Sequence, residues 1–164
     1  MNKNSINNVE NSHKAYNKKF LKTVRKNLKF VNAFLDLSSS INSELDTEFC
    51  TDERGNWKIF SFSTNNNPYF VDPIINTKCK KSWNIHVHPN VKGDRQTGKG
   101  ELSLEDMIYY IPRLMEPHDN LKCGCVIGEK DKNLSCLCNT EEEKNNNAKI
   151  QDFNLNIDRE KRIK

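Results

Sequence analysis

Short segments in which apolar and polar residues alternate dominate the middle of this sequence. Residues 56–63 read Asn-Trp-Lys-Ile-Phe-Ser-Phe-Ser, and residues 83–88 read Trp-Asn-Ile-His-Val-His. Alternation with a period of two is typical of β-strands whose two faces meet different surroundings. The segments 122–127 and 133–139 predict a hairpin that turns at Lys130 and Asp131. A chain with this pattern needs a sheet of short strands at its centre.

Two helices are predicted beside these strands. Apolar residues recur at helical spacing over residues 16–37, with lysines between them, and residues 38–42 form a polar break. A second helix begins at Ser103, a good N-cap residue that acidic residues follow, and Pro112 ends or kinks it. This order of elements predicts the α+β class, with a mixed sheet flanked by helices.

Composition limits the size of the core. Only 35% of the 164 residues are hydrophobic and the mean hydropathy is −0.85, so we expect one modest core with polar ends. The predicted organisation is a disordered basic arm at 1–15, a single domain at 16–140, and a charged, Asn-rich tail at 141–164. The tail has room for one further element.

The positive charge is concentrated at one end. Residues 1–30 carry eight Lys and Arg against one Glu, which a solvated helix face explains better than a nucleic-acid contact. No apolar run reaches the roughly 18 to 20 residues of a membrane helix. The first residues also lack the apolar stretch of a signal peptide. We therefore expect an intracellular protein that is not secreted, does not enter a membrane and does not bind nucleic acid.

The residues most suggestive of chemistry are His86-Val87-His88-Pro89 and, further along, Ser103 and Asp106. Residues i and i+2 of a strand face the same side, so both imidazoles point into one space. Two histidines and a carboxylate from the next helix are ligands that zinc prefers, with a fourth position left for water. The alternative is structural: two histidines on a half-exposed strand beside a turn, and an aspartate at a helix start.

This arrangement resembles the JAMM/MPN-domain (JAB-like) zinc metallopeptidases, whose motif is an upstream Glu, then H-x-H-P, a spacer and S-x-x-D. The resemblance spans roughly residues 25–138. It implies zinc bound by His86, His88 and Asp106, with Ser103 steadying the tetrahedral intermediate. It also implies hydrolysis of an isopeptide or peptide bond, in a ubiquitin-like modifier or a peptide substrate. The oligomeric state stays open.

Two features depart from the family pattern. Fifteen positions separate His88 from Ser103, more than is usual, and we expect the extra loop at 91–100 to bulge outward without moving the ligands. The upstream general base is either Glu44, Glu48 or Glu53. Glu48 is preferred because Glu48-Phe49-Cys50 resembles the family's E-x-C-G. If none reaches the metal, the chain is instead a catalytically inactive MPN-like scaffold that binds a protein partner.

Two other motifs allow alternative interpretations. Residues 93–100 nearly spell a phosphate-binding loop, but Gly100 stands where that motif needs Ser or Thr. In the predicted hairpin four cysteines share one face with Ile127 and Leu134, which favours free thiols packed in the core over a second zinc site or disulfides. The four are Cys123, Cys125, Cys136 and Cys138.

Overall fold

The computed structural model describes residues 22, 25–51, 57–73, 79, 81–139 and 150–162. Within them, six strands form one sheet in the order β2-β1-β3-β4-β5-β6, and three helices accompany it. The mixed α/β content and the mixed sheet are as the sequence predicts. The elements are α1 (Leu28–Ile41), β1 (Leu45–Thr51), β2 (Trp57–Ser63), β3 (Ser82–His88), α2 (Leu104–Met115), β4 (Leu121–Gly128), β5 (Asn133–Asn139), β6 (Ile150–Asn156) and α3 (Ile157–Arg162).

The pairing of β3 with β4 is parallel, whereas the other strand pairs are antiparallel. A parallel pair needs a crossover connection, and α2 lies in it. The helix therefore starts near the carboxyl end of β3, beside the first residues of β1, because β1 runs antiparallel to β3. Three chain segments thus meet at one end of the sheet.

The two faces of the sheet pack against different helices. One face and α1 form the larger apolar cluster, which includes Leu35, Phe49, Trp83 and Val87. The opposite face carries α2, whose Tyr110 and Leu114 pack with Leu121 and Leu137. The even-numbered residues of β1 and β3 lie on this second face, together with α2.

Helix α1 ends later than the sequence predicts, and α2 does not end at Pro112, where the sequence predicts an end or a kink. Helix α1 continues to Ile41 and ends at Asn42, whose φ is 49°. Ser38 does not break it because its buried hydroxyl donates to the carbonyl of Ser43 at 2.7 Å. Helix α2 continues past Pro112 to Met115. The carbonyl that Pro112 leaves without its usual donor belongs to Ile108, which is 63% exposed, so water can reach that turn.

The cysteine hairpin has the predicted register but a different chemistry. Cys123 pairs with Cys138 and Cys125 with Cys136 across β4 and β5, with Cα atoms 4.1 Å apart in each pair, and both pairs are disulfides. The prediction of free thiols is wrong because directly opposed strand positions bring the sulfurs within bonding reach. No three of these sulfurs lie within 4.8 Å of one another, as ligands of one metal would.

A third disulfide joins Cys50 to Cys79. Disulfides persist in oxidising environments and are rare in the cytosol. The expected intracellular location therefore has no support from the cysteines. Within the residues that the structure describes, no helix has the length and apolar character needed to cross a membrane.

The sheet extends beyond residue 140. Strand β6 pairs with β5 along its whole length, from Asn139 opposite Ile150 to Asn133 opposite Asn156. Ile157 follows it and is fully buried. The segment 150–157 is thus part of the same sheet and core, whereas the predicted arm at 1–15 lies outside the described residues.

Candidate metal centre

A cluster of ionisable side chains lies at the end of the sheet where β3 stops and α2 begins. His86 and His88 project from the same face of β3, and the first turn of α2 supplies Asp106. Asp46 of β1 lies directly opposite His86. Glu44 immediately precedes β1 and shares the face of Asp46, so it lies next to His88.

The histidines and Asp106 bring three metal-binding atoms together. His86 Nε2 lies 3.0 Å from Asp106 Oδ1 and 3.1 Å from His88 Nε2. His88 Nε2 lies 3.6 Å from Asp106 Oδ2. All three predicted ligands are therefore in one place, within 4.8 Å of one another. They form a group that can hold a metal ion.

A hydrogen bond from the other ring nitrogen fixes the orientation of His88. Its Nδ1 lies 2.9 Å from the carbonyl oxygen of Lys99. A carbonyl oxygen only accepts, so this nitrogen carries a hydrogen, and in the neutral ring Nε2 has its lone pair free. That lone pair points towards His86 and Asp106. A hydrogen bond of this kind is the usual support of a metal-binding histidine.

The loop at 91–100 is built into the site. Besides the Lys99 contact, Gly98 accepts hydrogen bonds from the backbone of Lys130 and Asp131, and Gly100 N–H donates to the Asp131 carboxylate at 3.0 Å. Val91 N–H donates to the Thr97 hydroxyl at 2.8 Å. The expectation that this loop bulges outward is therefore wrong for Gly98 and Gly100, because the turn between β4 and β5 binds them, whereas residues 92, 93, 95 and 96 are exposed.

A capping box at the start of α2 orients Asp106. Ser103 Oγ accepts from Asp106 N–H at 3.1 Å, and Asp106 Oδ2 accepts from Ser103 N–H at 2.9 Å. This reciprocal pairing satisfies two backbone donors of the first turn. It leaves Asp106 Oδ1 for His86 and the hydroxyl hydrogen of Ser103 for a further acceptor. Both α2 residues predicted for the site therefore lie in it.

Charge interactions perturb His86 and Asp106 in opposite directions. Burial lowers the pKa of His86, but the hydrogen bond and charge of Asp106 outweigh it, so the pKa is raised. Burial likewise raises the pKa of Asp106, but the bond to His86, the positive ring and Ser103 N–H lower it to about 2. The charged forms of the two groups therefore stabilise each other.

The charged forms of the other ionisable groups in the cluster are disfavoured. Burial and the positive charge of His86 lower the pKa of His88. Burial, with the charges of Asp106 and Asp46, raises the pKa of Glu44 to about 7. Burial raises the pKa of Asp46 to about 6. The carboxylates of Glu44, Asp46 and Asp106 are thus crowded beside the imidazoles, where a cation would relieve the repulsion among the carboxylates.

The three candidate general bases lie in different places. Glu44 Oε1 is 3.8 Å from His88 Nε2. Glu48 is on the same face but four residues further along, opposite Asn84, where its carboxylate accepts from the Ser82 hydroxyl at 2.9 Å. Glu53 lies outside the described residues. The structure therefore brings Glu44, and not the preferred Glu48, to the histidines.

A cleft of about 560 Å³ opens over the cluster. The residues that line it include both histidines, Asp106, Glu44 and Asp46, but not Glu48. Residues 68–73 and 96–99 are also part of the lining and contribute the exposed rings of Tyr69 and Phe70. A substrate can therefore reach the metal-binding atoms from solvent.

Comparisons with known proteins found no match among protein-family models, curated proteins or solved structures. The geometry of the site is therefore the ground for assigning a function.

Proposed function

We propose that this protein is a zinc-dependent hydrolase of amide bonds that is similar to the JAMM/MPN metallopeptidases. The observation that carries the proposal is the convergence of His86, His88 and Asp106 at the mouth of an open cleft. The support for the family is the order of the elements. A strand ending in H-x-H-P leads through a loop to S-x-x-D at the start of a helix, which returns to a parallel strand.

The donor set suits zinc. Ligand atoms about 2.0 to 2.1 Å from a tetrahedral zinc ion lie about 3.3 Å from one another. The two imidazole nitrogens are 3.1 Å apart here, and they lie 3.0 Å and 3.6 Å from the two oxygens of the Asp106 carboxylate. Two imidazole nitrogens and one carboxylate leave the fourth position open, as in catalytic zinc sites. Hard cations such as magnesium prefer sites made of oxygen atoms alone, so they suit this set less well.

Each side chain around the metal has a role in hydrolysis. Bound zinc supplies a Lewis acid that lowers the pKa of water towards about 7. Glu44, beside His88 and inside the cleft, accepts the proton of the attacking water and returns it to the leaving amine. The free hydroxyl hydrogen of Ser103 donates to the developing oxyanion. In this assignment Glu44 takes the place that the sequence favours for Glu48.

The substrate we propose is an isopeptide or peptide bond, at the C-terminus of a ubiquitin-like modifier or within a peptide. Its support is the resemblance, together with a cleft that is open to solvent and has exposed aromatic rings near the metal-binding atoms. In this proposal an extended chain end enters the cleft from solvent, and bound zinc would polarise its scissile carbonyl.

A matched pair of variants tests the proposal. Glu44→Gln is expected to keep about one zinc per chain and to lose at least 100-fold in kcat on a modifier with a fluorogenic C-terminal amide. Glu48→Gln is an equally small change at a buried glutamate outside the cleft, and it is expected to keep both the zinc content and the kcat of the wild type. Metal content is measured by elemental mass spectrometry, with His86→Ala as the variant that loses the zinc.

Two other outcomes contradict the proposal in different ways. If wild-type protein purified with zinc contains none, the metal site itself is refuted. If it contains zinc but cleaves no amide, and Glu44→Gln leaves partner binding intact, the catalytically inactive MPN-like scaffold is the better assignment.

A further inference from the structure

A chain of buried hydrogen bonds leads from His86 away from the metal-binding atoms. His86 Nδ1 lies 2.8 Å from the hydroxyl oxygen of Tyr110. The same hydroxyl lies 2.6 Å from Asn84 Oδ1, and Asn84 Nδ2 donates to Asp46 Oδ2 at 3.0 Å. The three residues behind His86 are at most 3% exposed, so water does not compete for these bonds.

The donor and the acceptor of each hydrogen bond in this series can be assigned by starting from Asp46. An ionised carboxylate only accepts, so Asp46 holds the NH₂ group of Asn84 and turns the amide oxygen towards Tyr110. An amide oxygen also only accepts, so the phenol donates to it. The other close neighbour of the phenol oxygen is the carbonyl of Cys125 at 3.3 Å, which is again an acceptor. The single hydroxyl hydrogen is therefore not available to His86, and Nδ1 of His86 is the donor.

The position of this phenol is fixed by its packing against a glycine of β4. Tyr110 is 1% exposed and its ring lies over Gly124 of β4. A Cβ at position 124 would overlap the ring atoms of Tyr110, so no other residue fits there without moving it. The hydroxyl position thus depends on the backbone of the central parallel pair of strands and not on a mobile loop.

We infer that Tyr110, oriented by Asn84 and Asp46, is a positioning residue that keeps the hydrogen of His86 on Nδ1 and so presents Nε2 to the metal. The inference rests on the proposed zinc site. The two histidines are supported in the same way, because the carbonyl oxygen of Lys99 accepts from His88 Nδ1–H as the hydroxyl of Tyr110 accepts from His86 Nδ1–H. Outer hydrogen bonds of this type fix the tautomer and raise the basicity of a ligating ring.

The test compares Tyr110→Phe with Tyr109→Phe. Phenylalanine keeps the ring over Gly124 but removes the acceptor of His86 Nδ1–H, so zinc affinity is expected to fall about 10- to 100-fold. Tyr109 is the neighbouring tyrosine on the same helix, and its hydroxyl accepts from Arg113 at 3.1 Å. Its substitution is expected to change zinc affinity less than twofold. Affinity is measured by chelator competition, after melting curves without metal show that each variant is folded.

An NMR signature separates positioning from a general loss of stability. In zinc-loaded protein the His86 Nδ1–H proton is expected to move upfield in Tyr110→Phe, because its hydrogen bond is lost. The His88 Nδ1–H proton, bonded to Lys99, is expected to stay in place and serves as an internal control. The wild-type protein alone also tests the inference, which is wrong if His86 Nδ1–H shows no hydrogen bond.

The outcomes distinguish this inference from the proposed function. Equal zinc affinity in the two variants overturns the role of Tyr110 and leaves the zinc site standing. A wild-type protein that takes up no zinc overturns both.

Discussion

Replacing Glu44 by Gln should stabilise the metal-free protein, and by an amount that depends on pH. Burial next to Asp106 and Asp46 raises the pKa of Glu44 from 4.5 to about 7 in the folded state. The unfolded chain has the ordinary value, so folding binds a proton between these two pH values. A glutamine has almost the same shape but does not ionise.

The sign and size of the effect follow from linkage. Below pH 4.5 the carboxyl group is neutral in both states and contributes no pH dependence. As the pH rises from 4.5 to 7, ionisation favours the unfolded chain, and stability falls until the folded carboxyl is also charged. At about 1.4 kcal/mol for each tenfold change in the ionisation constant, the full loss is about 3 kcal/mol. Glu44 is only 9% exposed, so solvent screens little of it.

The assay is urea unfolding with a chelator present, at pH 4.5 and pH 8. The unfolding free energy of Glu44→Gln minus that of wild type is expected to be about 3 kcal/mol larger at pH 8 than at pH 4.5. For a chain of this size that is about 6 to 12 °C in melting temperature. Glu48→Gln controls for the loss of a buried glutamate outside the cleft. A Glu44→Gln difference that is the same at both pH values would refute the claim that the site holds a desolvated carboxylate.

Three shorter predictions concern the metal, the glycine under Tyr110 and the cysteines. Zinc at about 100 times its dissociation constant is expected to stabilise wild type by about 2.7 kcal/mol, and His86→Ala should abolish this gain in a thermal melt. Gly124→Ala is expected to cost about 1 to 3 kcal/mol by overpacking against Tyr110, and an unchanged melting temperature would contradict the packing described. Thiol titration in denaturant without reductant is expected to find none of the six cysteines free, whereas six free thiols in protein purified under air would refute the disulfides.

The local patterns in the sequence predict the parts of the site that lie on one element. Alternation in 83–88 places His86 and His88 on one face, and the symmetric spacing of the four hairpin cysteines gives the register of β4 with β5. The start of α2 at Ser103 follows from its capping residues. In each of these cases the information lies within a few residues of the feature.

The contribution of β1 to the site cannot be predicted from a local sequence pattern. Residues 45–51 read Leu-Asp-Thr-Glu-Phe-Cys-Thr, and their acidic side chains resemble an exposed segment. The structure buries Asp46 and Glu48, because β3 supplies their hydrogen-bond partners 38 and 34 residues away. The choice between Glu44 and Glu48 depends on that long-range register, which a resemblance to a short motif does not contain. Tyr110 was missed for the same reason, since its partner in the site comes from β3.

The disagreement between local pattern and structure at β1 is itself informative about function. The burial of Glu44 and Asp46 beside Asp106 carries a cost for folding, because it raises the pKa of the first two and their ionisation then opposes folding. Sequences that break the rule against buried charges usually do so at functional sites. A divalent cation between the two histidines and Asp106 would turn the repulsion into attraction. A bound metal would thus return the free energy that the metal-free fold loses at neutral pH, and this physical argument favours a metal centre over a purely structural histidine pair.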